Sequence, residues 1–433
     1  MQLGRAGRGQ SASRELATCA ILRDGMSRAY DVVVVGAGPS GMTAAYRAAR
    51  TGRHVLILDR MNPPGRKLRL AGGGRCNVLP RSVDPSVYVT DSSRHTLKKI
   101  LLSWPLPEVR AFLSRDLGLR LYEERKTGRV FPVGGGEEVQ RRFLAALGRA
   151  GAELRTRKTV ERVLTSVPAV VLRNGETISA AAIVLATGGR SYPKTGSDGM
   201  GFEIARGLGH HLVEPYRALV ALRGGPPTHH RLAGLSIPVT LSVGSGRPRT
   251  QSTGDFLFTH RGYSGPAVLD VSHHAARAAQ AGEPLKIEVA WNGLSPEAWE
   301  ARLAPSGKTV AGWLKAFLPD RLVDLLLGEL DLREARLATL QRADRIRLIM
   351  ALGAYPLPWS ACGGWNEAEV TGGGVSLGDL DPRTLESQVV RGLYLCGEVL
   401  DAFGPVGGTN LLWAFVTGKV AGDAAAETVH AST

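Results

Sequence analysis

Three glycines at 36, 38 and 41, an aspartate at 59, a glutamate at 398 and a cysteine at 76 beside an arginine are the residues of this 433-residue chain whose types and spacing could do chemistry. The glycines follow an unbroken apolar run, Val32 to Val35, and open a helix expected over Pro39 to Arg50. In that setting Gly36 permits a tight turn, Gly38 lets the backbone approach a pyrophosphate, and Gly41 lets helix and strand pack closely. The helix then directs its free N–H groups and positive dipole end at the phosphates. Asp59 closes a second apolar run, Val55 to Leu58, eighteen residues after Gly41, where a carboxylate can accept hydrogen bonds from an adenosine ribose. This constellation binds a dinucleotide, so the reaction's hard chemistry belongs to a cofactor.

The far end of the chain narrows the choice of cofactor. Gly392-Leu-Tyr-Leu-Cys-Gly-Glu-Val-Leu-Asp401 is a short buried strand running into a turn that carries Glu398. Gly407-Gly-Thr-Asn-Leu-Leu412 then opens a helix reaching about Ala426. An acid after a strand suits ribityl or pyrophosphate oxygens, and a glycine-rich helix start suits the electron-rich edge of an isoalloxazine ring. A third piece, Ile183-Val-Leu-Ala-Thr-Gly-Gly189, is the strand and turn with which FAD-dependent reductases return to their nucleotide domain. Three pieces spread over the whole chain favour one FAD.

Four blocks make a resemblance specific. They are Gly65-Arg-Lys-Leu-Arg-Leu-Ala-Gly-Gly-Gly-Arg-Cys-Asn77, Gly128-Arg-Val-Phe-Pro132, Phe256-Leu-Phe-Thr-His-Arg-Gly-Tyr-Ser-Gly-Pro266 and the segment from Gly397 to Trp413. In this order they resemble the bacterial BaiN/RdsA family of NAD(P)/FAD-dependent oxidoreductases, from about residue 29 to the C-terminus. The resemblance implies FAD as cofactor, NADH or NADPH as transient reductant, and reduction of a C=C bond conjugated to a carbonyl. Some members of that family are linked to making dihydrouridine from uridine in ribosomal RNA, and others to reducing dehydro-steroid enones of the bile acid type. Where the family usually carries Tyr and Gln in Gly-Gly-Tyr-Asn-Leu-Gln, this chain has Thr409 and Leu412, which removes an amide expected near the flavin. Motifs and resemblance together assign cofactor binding to Gly36, Gly38, Ser40, Gly41, Asp59, Arg60, Arg66, Lys67, Gly72, Gly74, Asn77, Val160, Thr187, Gly188, Gly397, Glu398, Gly408, Asn410 and Leu411.

The elements that position these residues read as α/β: a Rossmann-type FAD-binding domain split in sequence over 29–190 and 355–433. Between the halves, 191–265 reads as a β-rich, barrel-like insert, with runs such as Ile237 to Val243 between Gly/Pro turns. Residues 266–354 read as a helical insert, with apolar positions at three- and four-residue spacing over Ala267 to Ala281, Pro296 to Leu303, Thr309 to Phe317, Arg321 to Leu330 and Arg342 to Leu352. Residues 1–28 form a tail without apolar periodicity, read as an upstream start, a disordered segment or a transit peptide. No second GxGxxG followed by strand and acid is present, so a nicotinamide is expected to bind transiently over the ring, with ping-pong kinetics.

Gly65 to Asn77 reads as a loop forming the active-site wall, its glycines lying against a flat ring and Arg66, Lys67 and Arg75 supplying positive charge. Catalysis is assigned to Cys76, as the acid that protonates one carbon while hydride reaches the other, and to Arg75 beside it. Tyr263, His260 and Arg129 are further candidates for orienting substrate. The pairs His210-His211, His229-His230 and His273-His274 are not spaced as helical metal ligands, so no metal is expected. Cysteines at 19, 76, 362 and 396 are too scattered for a disulfide scaffold or a zinc site, which suits a reducing cytoplasm. No apolar run approaches the roughly 18 residues of a membrane helix.

Charge discriminates among substrates. The chain has 54 basic and 39 acidic residues, a formal net charge of +15 and a pI near 10.0. Clusters occur at Arg94-His95 with Lys98-Lys99, Arg125-Lys126 with Arg129, Arg141-Arg142, Arg155 with Arg157-Lys158, and Arg342, Arg345 and Arg347. Arginine-rich surfaces suit bidentate phosphate contacts and base stacking, which favours ribosomal RNA as partner over a small enone. A flavoprotein that binds RNA without turnover is the reading from another class.

Overall fold

The computed structural model describes residues 30–244, 249–304 and 306–428. The tail 1–28 and Cys19 lie outside the described residues. The chain forms two compact units, one made of residues up to Pro215 and from Thr371 onward, the other of Tyr216–Val370.

In the first unit, β1 (Tyr30–Val35) is followed by α1 (Pro39–Ala49) and β2 (Val55–Asp59). The valines of β1 are buried on both faces, which is why the run does not alternate. Parallel neighbours flank β1: Val32 lies opposite Val55 of β2, and Val34 opposite Val184 in the later strand Thr177–Leu185. An antiparallel hairpin of β3 (Leu121–Glu123) and β4 (Val130–Pro132) stands apart from this sheet. The main sheet also takes β5 (Glu153–Thr156), β6 (Val160–Leu164), β7 (Ala169–Leu172), β8 (Thr177–Leu185) and the C-terminal strand Leu393–Leu395, in the order β5-β2-β1-β8-β7-β6, with the C-terminal strand beside β8. The pairings β5-β2, β2-β1, β1-β8 and β8 with Leu393–Leu395 are parallel. Their carboxyl ends therefore open on one edge, delivering Gly36, Arg60, Thr187 and Gly397 together, the edge at which open α/β sheets take ligands.

Two features of this unit differ from expectation. Residues 65–77 are not an open loop: Arg66–Leu70 is a short helix, α2, and Ala71–Gly74 a 3₁₀ turn. The β-rich insert does not begin at 191, because helix Met200–Gly207 buries Phe202, Ile204 and Ala205 in the first unit's core. The long C-terminal helix, α3 (Thr409–Thr428), lies against α1. It approaches closely because Gly418 and Gly422 carry no Cβ: one at Gly422 would sit 2.6 Å from Ala44 Cα.

The second unit is a seven-stranded antiparallel sheet, including Ser236–Val243, Thr250–Thr259 and Ile287–Trp291, that shares one hydrophobic core with its helices. The expected division into a β-rich and a helical insert is thus a single unit. Helix Pro266–Ala281 packs on strand Thr250–Thr259, and helices Pro296–Glu300, Val310–Leu314, Asp320–Leu330 and Arg342–Gly353 contribute Trp299, Leu314, Leu326 and Leu352 to the same core. Residues 355–370, expected with the nucleotide domain, belong here because Tyr355–Pro356 and Ala361–Cys362 are strands of this sheet.

Candidate active site

The glycine turn has the three-part geometry that its spacing predicts. Gly36 has φ 103°, and a Cβ on it would meet the Ala186 carbonyl oxygen at 2.5 Å. A Cβ on Gly41 would overlap the Gly36 carbonyl oxygen, with the carbonyl carbon at 3.0 Å. A Cβ on Gly38 would meet nothing within 4 Å. One glycine thus makes the turn, one makes the packing, and one keeps space open at the N-terminus of α1. That helix has no side-chain cap, so its first N–H groups lack intrahelical acceptors and face the open space. Ser40 is buried and lies under Gly397, whose Cβ would come 2.8 Å from Ser40 Cβ.

Asp59 accepts hydrogen bonds from the N–H groups of Ala37 and Met61, both at 2.7 Å. Burial pushes its carboxyl pKa up, against these hydrogen bonds, which pull it down. The carboxylate therefore braces the turn and retains lone pairs for a ribose. Arg60 is ion-paired with Asp198, and Arg66 donates to the Asn62 carbonyl. Lys158 N–H bonds to the Asp59 carbonyl at 3.0 Å, which brings the start of β6 and its buried Val160 to the same end.

On the same carboxyl edge, past Gly397, a polar cluster gathers around Glu398. Lys67 Nζ donates to its Oε2 at 2.6 Å, and Ser191 Oγ and the Thr371 N–H donate to its Oε1 at 2.7 and 3.0 Å. Lys67 also bonds to Ser191. The backbone N–H groups of Arg190 and Ser191 donate to Thr371 Oγ1 at 2.7 and 3.1 Å. Ser191 and Thr371 were not found by sequence reasoning. The available signal was the unread run Val370-Thr-Gly-Gly-Gly-Val375, where Gly373 and Gly374 have φ of 75° and 124°.

Asn77, Gly408 and Asn410 shape the start of α3. Asn77 Oδ1 is buried without a partner, 2.8 Å from where a Gly408 Cβ would stand. Asn410 clamps the preceding turn, accepting from Gly404 N–H at 2.8 Å and donating to Gly404 O at 2.9 Å. Leu411 is half-buried, whereas Leu412 is 1% exposed in the core. The position at which the family usually has glutamine thus packs inward here. Thr187 Oγ and Ser197 Oγ are further buried atoms without partners, and Ser197 Oγ lies 2.9 Å from a would-be Gly188 Cβ. Buried polar atoms normally find partners. Three orphans along this edge, with the open space at Gly38, fit an extended flavin dinucleotide.

The expected Cys76–Arg75 pair is not formed. Arg75 bonds to Glu124 at 2.7 Å and lies over the Phe131 ring at 4.3 Å. Cys76 is 0% exposed in the core, and burial pushes its thiol up to about 12. A group enclosed this way has no path to a substrate carbon, which corrects the assignment of Cys76 as acid. Cys76→Ala is expected to keep substrate-dependent flavin reoxidation within about threefold and to lower stability by about 1 kcal/mol. Loss of reoxidation with flavin reduction intact, in stopped-flow absorbance, would restore the acid role. Gly72 is exposed and Gly74 half-buried in the turn beside it.

Arg129 is fixed at the site, donating to the Val406 carbonyl at 3.1 Å. Tyr263, in the second unit, is a core residue: His229 Nδ1 lies 2.8 Å from its hydroxyl, which donates to the Pro358 carbonyl at 3.1 Å. Burial raises its pKa. His260 is exposed. Among the described residues no group of three or more His, Cys, Asp or Glu could hold a metal ion, and no helix is long and apolar enough to cross a membrane.

Comparison with known proteins places this geometry. The chain is 31% identical over 391 residues to a ribosomal RNA dihydrouridine synthase of Escherichia coli K12, covering 89% of this chain and 95% of the relative. It is also 31% identical over 407 residues to a 3-dehydro-bile acid delta(4,6)-reductase of Clostridium scindens, covering 91% and 98%. A flavocytochrome c3 fumarate reductase in its open conformation shares the fold, with a TM-score of 0.50 at 17% identity over 99% of this chain and 83% of that one. The family model described as the HI0933-like protein Rossmann domain matches residues 30–424, so with its glycine turn and split parallel sheet the chain belongs to the HI0933-like Rossmann-domain family.

Proposed function

We propose that this protein is an FAD-dependent oxidoreductase that uses NADH or NADPH to reduce a C=C bond conjugated to a carbonyl, and that its substrate is uridine in ribosomal RNA, converted to dihydrouridine. The observation that carries the reading is identity along nearly the full chain with two relatives named for reduction of such bonds. Net charge of +15 favours the polyanionic substrate over the steroid. Equal identity to the bile acid reductase keeps small enones as the second reading.

When bound, FAD supplies hydride transfer between a nicotinamide and the conjugated carbon. The chain's own residues do the rest. The N-terminus of α1 and Gly38 receive the pyrophosphate, and Asp59 offers its lone pairs to the ribose. Glu398, held by Lys67 and Ser191, sets the polar wall beyond Gly397. The N-terminus of α3 brings a positive dipole end to the site, which stabilises negative charge developing there. The second carbon of the bond takes a proton, giving a net gain of two electrons and two protons. The enclosed thiol of Cys76 leaves that proton to another donor. We place the reaction in the cytoplasm, in keeping with three buried free cysteines among the described residues.

The test is anaerobic mixing of the yellow protein with NADH or NADPH, followed by unmodified ribosomal RNA. Bleaching of the flavin and RNA-dependent return of its absorbance are expected. Bleaching with return only on a steroid enone would establish the second reading. A flavin that neither nicotinamide bleaches would leave an RNA-binding flavoprotein without this turnover.

A further inference from the structure

The hairpin β3–β4 carries an exposed aromatic platform that the flavin site does not use. The Tyr122 ring stacks on Phe131, centroids 5.8 Å apart and planes at 22°, and Tyr122 is 41% exposed. Phe131 is itself buried, with the Arg75 guanidinium over its ring at 4.3 Å. Arg75 is held by Glu124 at 2.7 Å. The stack is thus fixed from behind, and one ring remains presented to solvent.

Among the described residues, the hairpin's own cations are free of the ion pairs that engage several of the chain's other basic clusters. Many basic residues singled out in the sequence are neutralised: Arg155 and Lys158 by Glu153 and Glu176, Arg142 by Glu138, and Arg347 by Asp344. Arg120, Arg125 and Lys126 are exposed, and among the described residues no ion pair engages them. Lys98 and Lys99 are exposed too, but the large apolar side chain exposed beside them is Leu102, which offers no ring.

The hairpin is also tied to the flavin site. Leu79 bridges to Val130 of β4, and its backbone lies 2.6 Å from where a Gly408 Cβ would stand. Arg129, one residue before β4, lies over Gly407 and bonds to Val406. A strand held there cannot move independently of the start of α3.

Resting on the RNA reading above, we propose that this hairpin is the docking platform for single-stranded RNA flanking the target uridine. Tyr122 stacks on an unpaired base, and Arg120, Arg125 and Lys126 neutralise phosphates on either side. Aromatic stacking with flanking cations is how single strands are held without base-specific hydrogen bonds, whereas a steroid needs neither the phosphate-binding cations nor a solvent-facing ring.

The test uses the full-length holoprotein and a fluorescein-labelled oligouridine of about a dozen nucleotides, read by anisotropy over a salt series. Tyr122→Ala is expected to weaken binding roughly 5- to 100-fold, and Tyr122→Phe to retain it. The double variant Arg125→Ala/Lys126→Ala is expected to make the slope of log affinity against log salt shallower by about 1.4, at roughly 0.7 per phosphate contact on a single strand. FAD content and thermal midpoint serve as controls for folding. Wild-type affinity and slope in both the Tyr122→Ala and the double variant would overturn the platform while leaving the RNA reading intact. Oligouridine and ribosomal RNA both failing to bind the wild type would overturn platform and reading together. Binding by the wild type that is sensitive to Tyr122→Ala, without RNA-dependent reoxidation, would sink the reductase reading and leave the platform standing.

Discussion

Gly41→Ala is expected to abolish the folded nucleotide-binding unit, and Gly38→Ala to leave it folded but poor in FAD. The two glycines belong to one motif, yet their surroundings are opposite. A methyl group on Gly41 runs into the Gly36 carbonyl, which is backbone in the tight turn between β1 and α1 and cannot rotate away. Relief requires parting the helix from the strand, at a cost above about 3 kcal/mol. At Gly38 the backbone is extended, φ −80° and ψ −178°, and a Cβ meets nothing within 4 Å. Alanine fits there without a clash, at a cost of up to about 1 kcal/mol as a poorer helix cap than glycine. It fills space that a pyrophosphate needs, so FAD affinity is expected to fall roughly 100-fold, about 2.7 kcal/mol. Urea unfolding of the apoprotein and FAD titration separate the outcomes. A Gly38→Ala protein that purifies fully yellow would show that the pyrophosphate does not lie over this turn.

The second large effect is expected at Glu398. Glu398→Ala removes the acceptor for Lys67, Ser191 and the Thr371 N–H at once. The Lys67 and Glu398 side chains are 26% and 21% exposed, so the stranded ammonium is partly hydrated. The loss is expected near 2 kcal/mol, below the 3 to 5 kcal/mol typical of breaking a fully buried pair. Glu398→Gln keeps an acceptor oxygen for Ser191 and Thr371 but turns an amide NH2 toward the Lys67 ammonium, losing that hydrogen bond and the charge pairing. It is therefore expected to cost less than Glu398→Ala only by the two bonds retained. A double-mutant cycle with Lys67→Met should show coupling of about 1 kcal/mol. FAD content is expected to fall in the order wild type, Glu398→Gln, Glu398→Ala. Equal stability and equal FAD content in all three would mean that the cluster plays no part in holding the cofactor.

The nucleotide turn was legible because each position is decided locally. Val32 to Val35, Gly36, Gly38, Gly41 and Asp59 lie within one strand-helix-strand unit, and the structure places each where its spacing implies. The helices of the second unit were legible for the same reason: Asp320–Leu330 and Arg342–Gly353 keep their apolar faces in register with a single core. The boundaries between units were not. Whether 191–215 joins one core or the other depends on where Phe202 and Ile204 find partners, and those partners are distant in sequence.

The active-site residues divide along the same line. Cys76 beside Arg75 looks like an activated thiol when only neighbours in the chain are counted. The fold turns Arg75 toward Glu124 and Phe131 and encloses the sulfur. Thr371 is marked only by the glycine run around it, and Ser191 carries no signal of its own because its role depends on Glu398, 207 residues away. By itself the sequence determined the strand-turn-helix that cradles a dinucleotide, since backbone conformation and short-range packing suffice for it. Tertiary structure alone decided which charges are paired, which thiol is buried and which polar atoms await a ligand, because burial and electrostatic pairing are properties of the space between segments that the chain brings together only on folding.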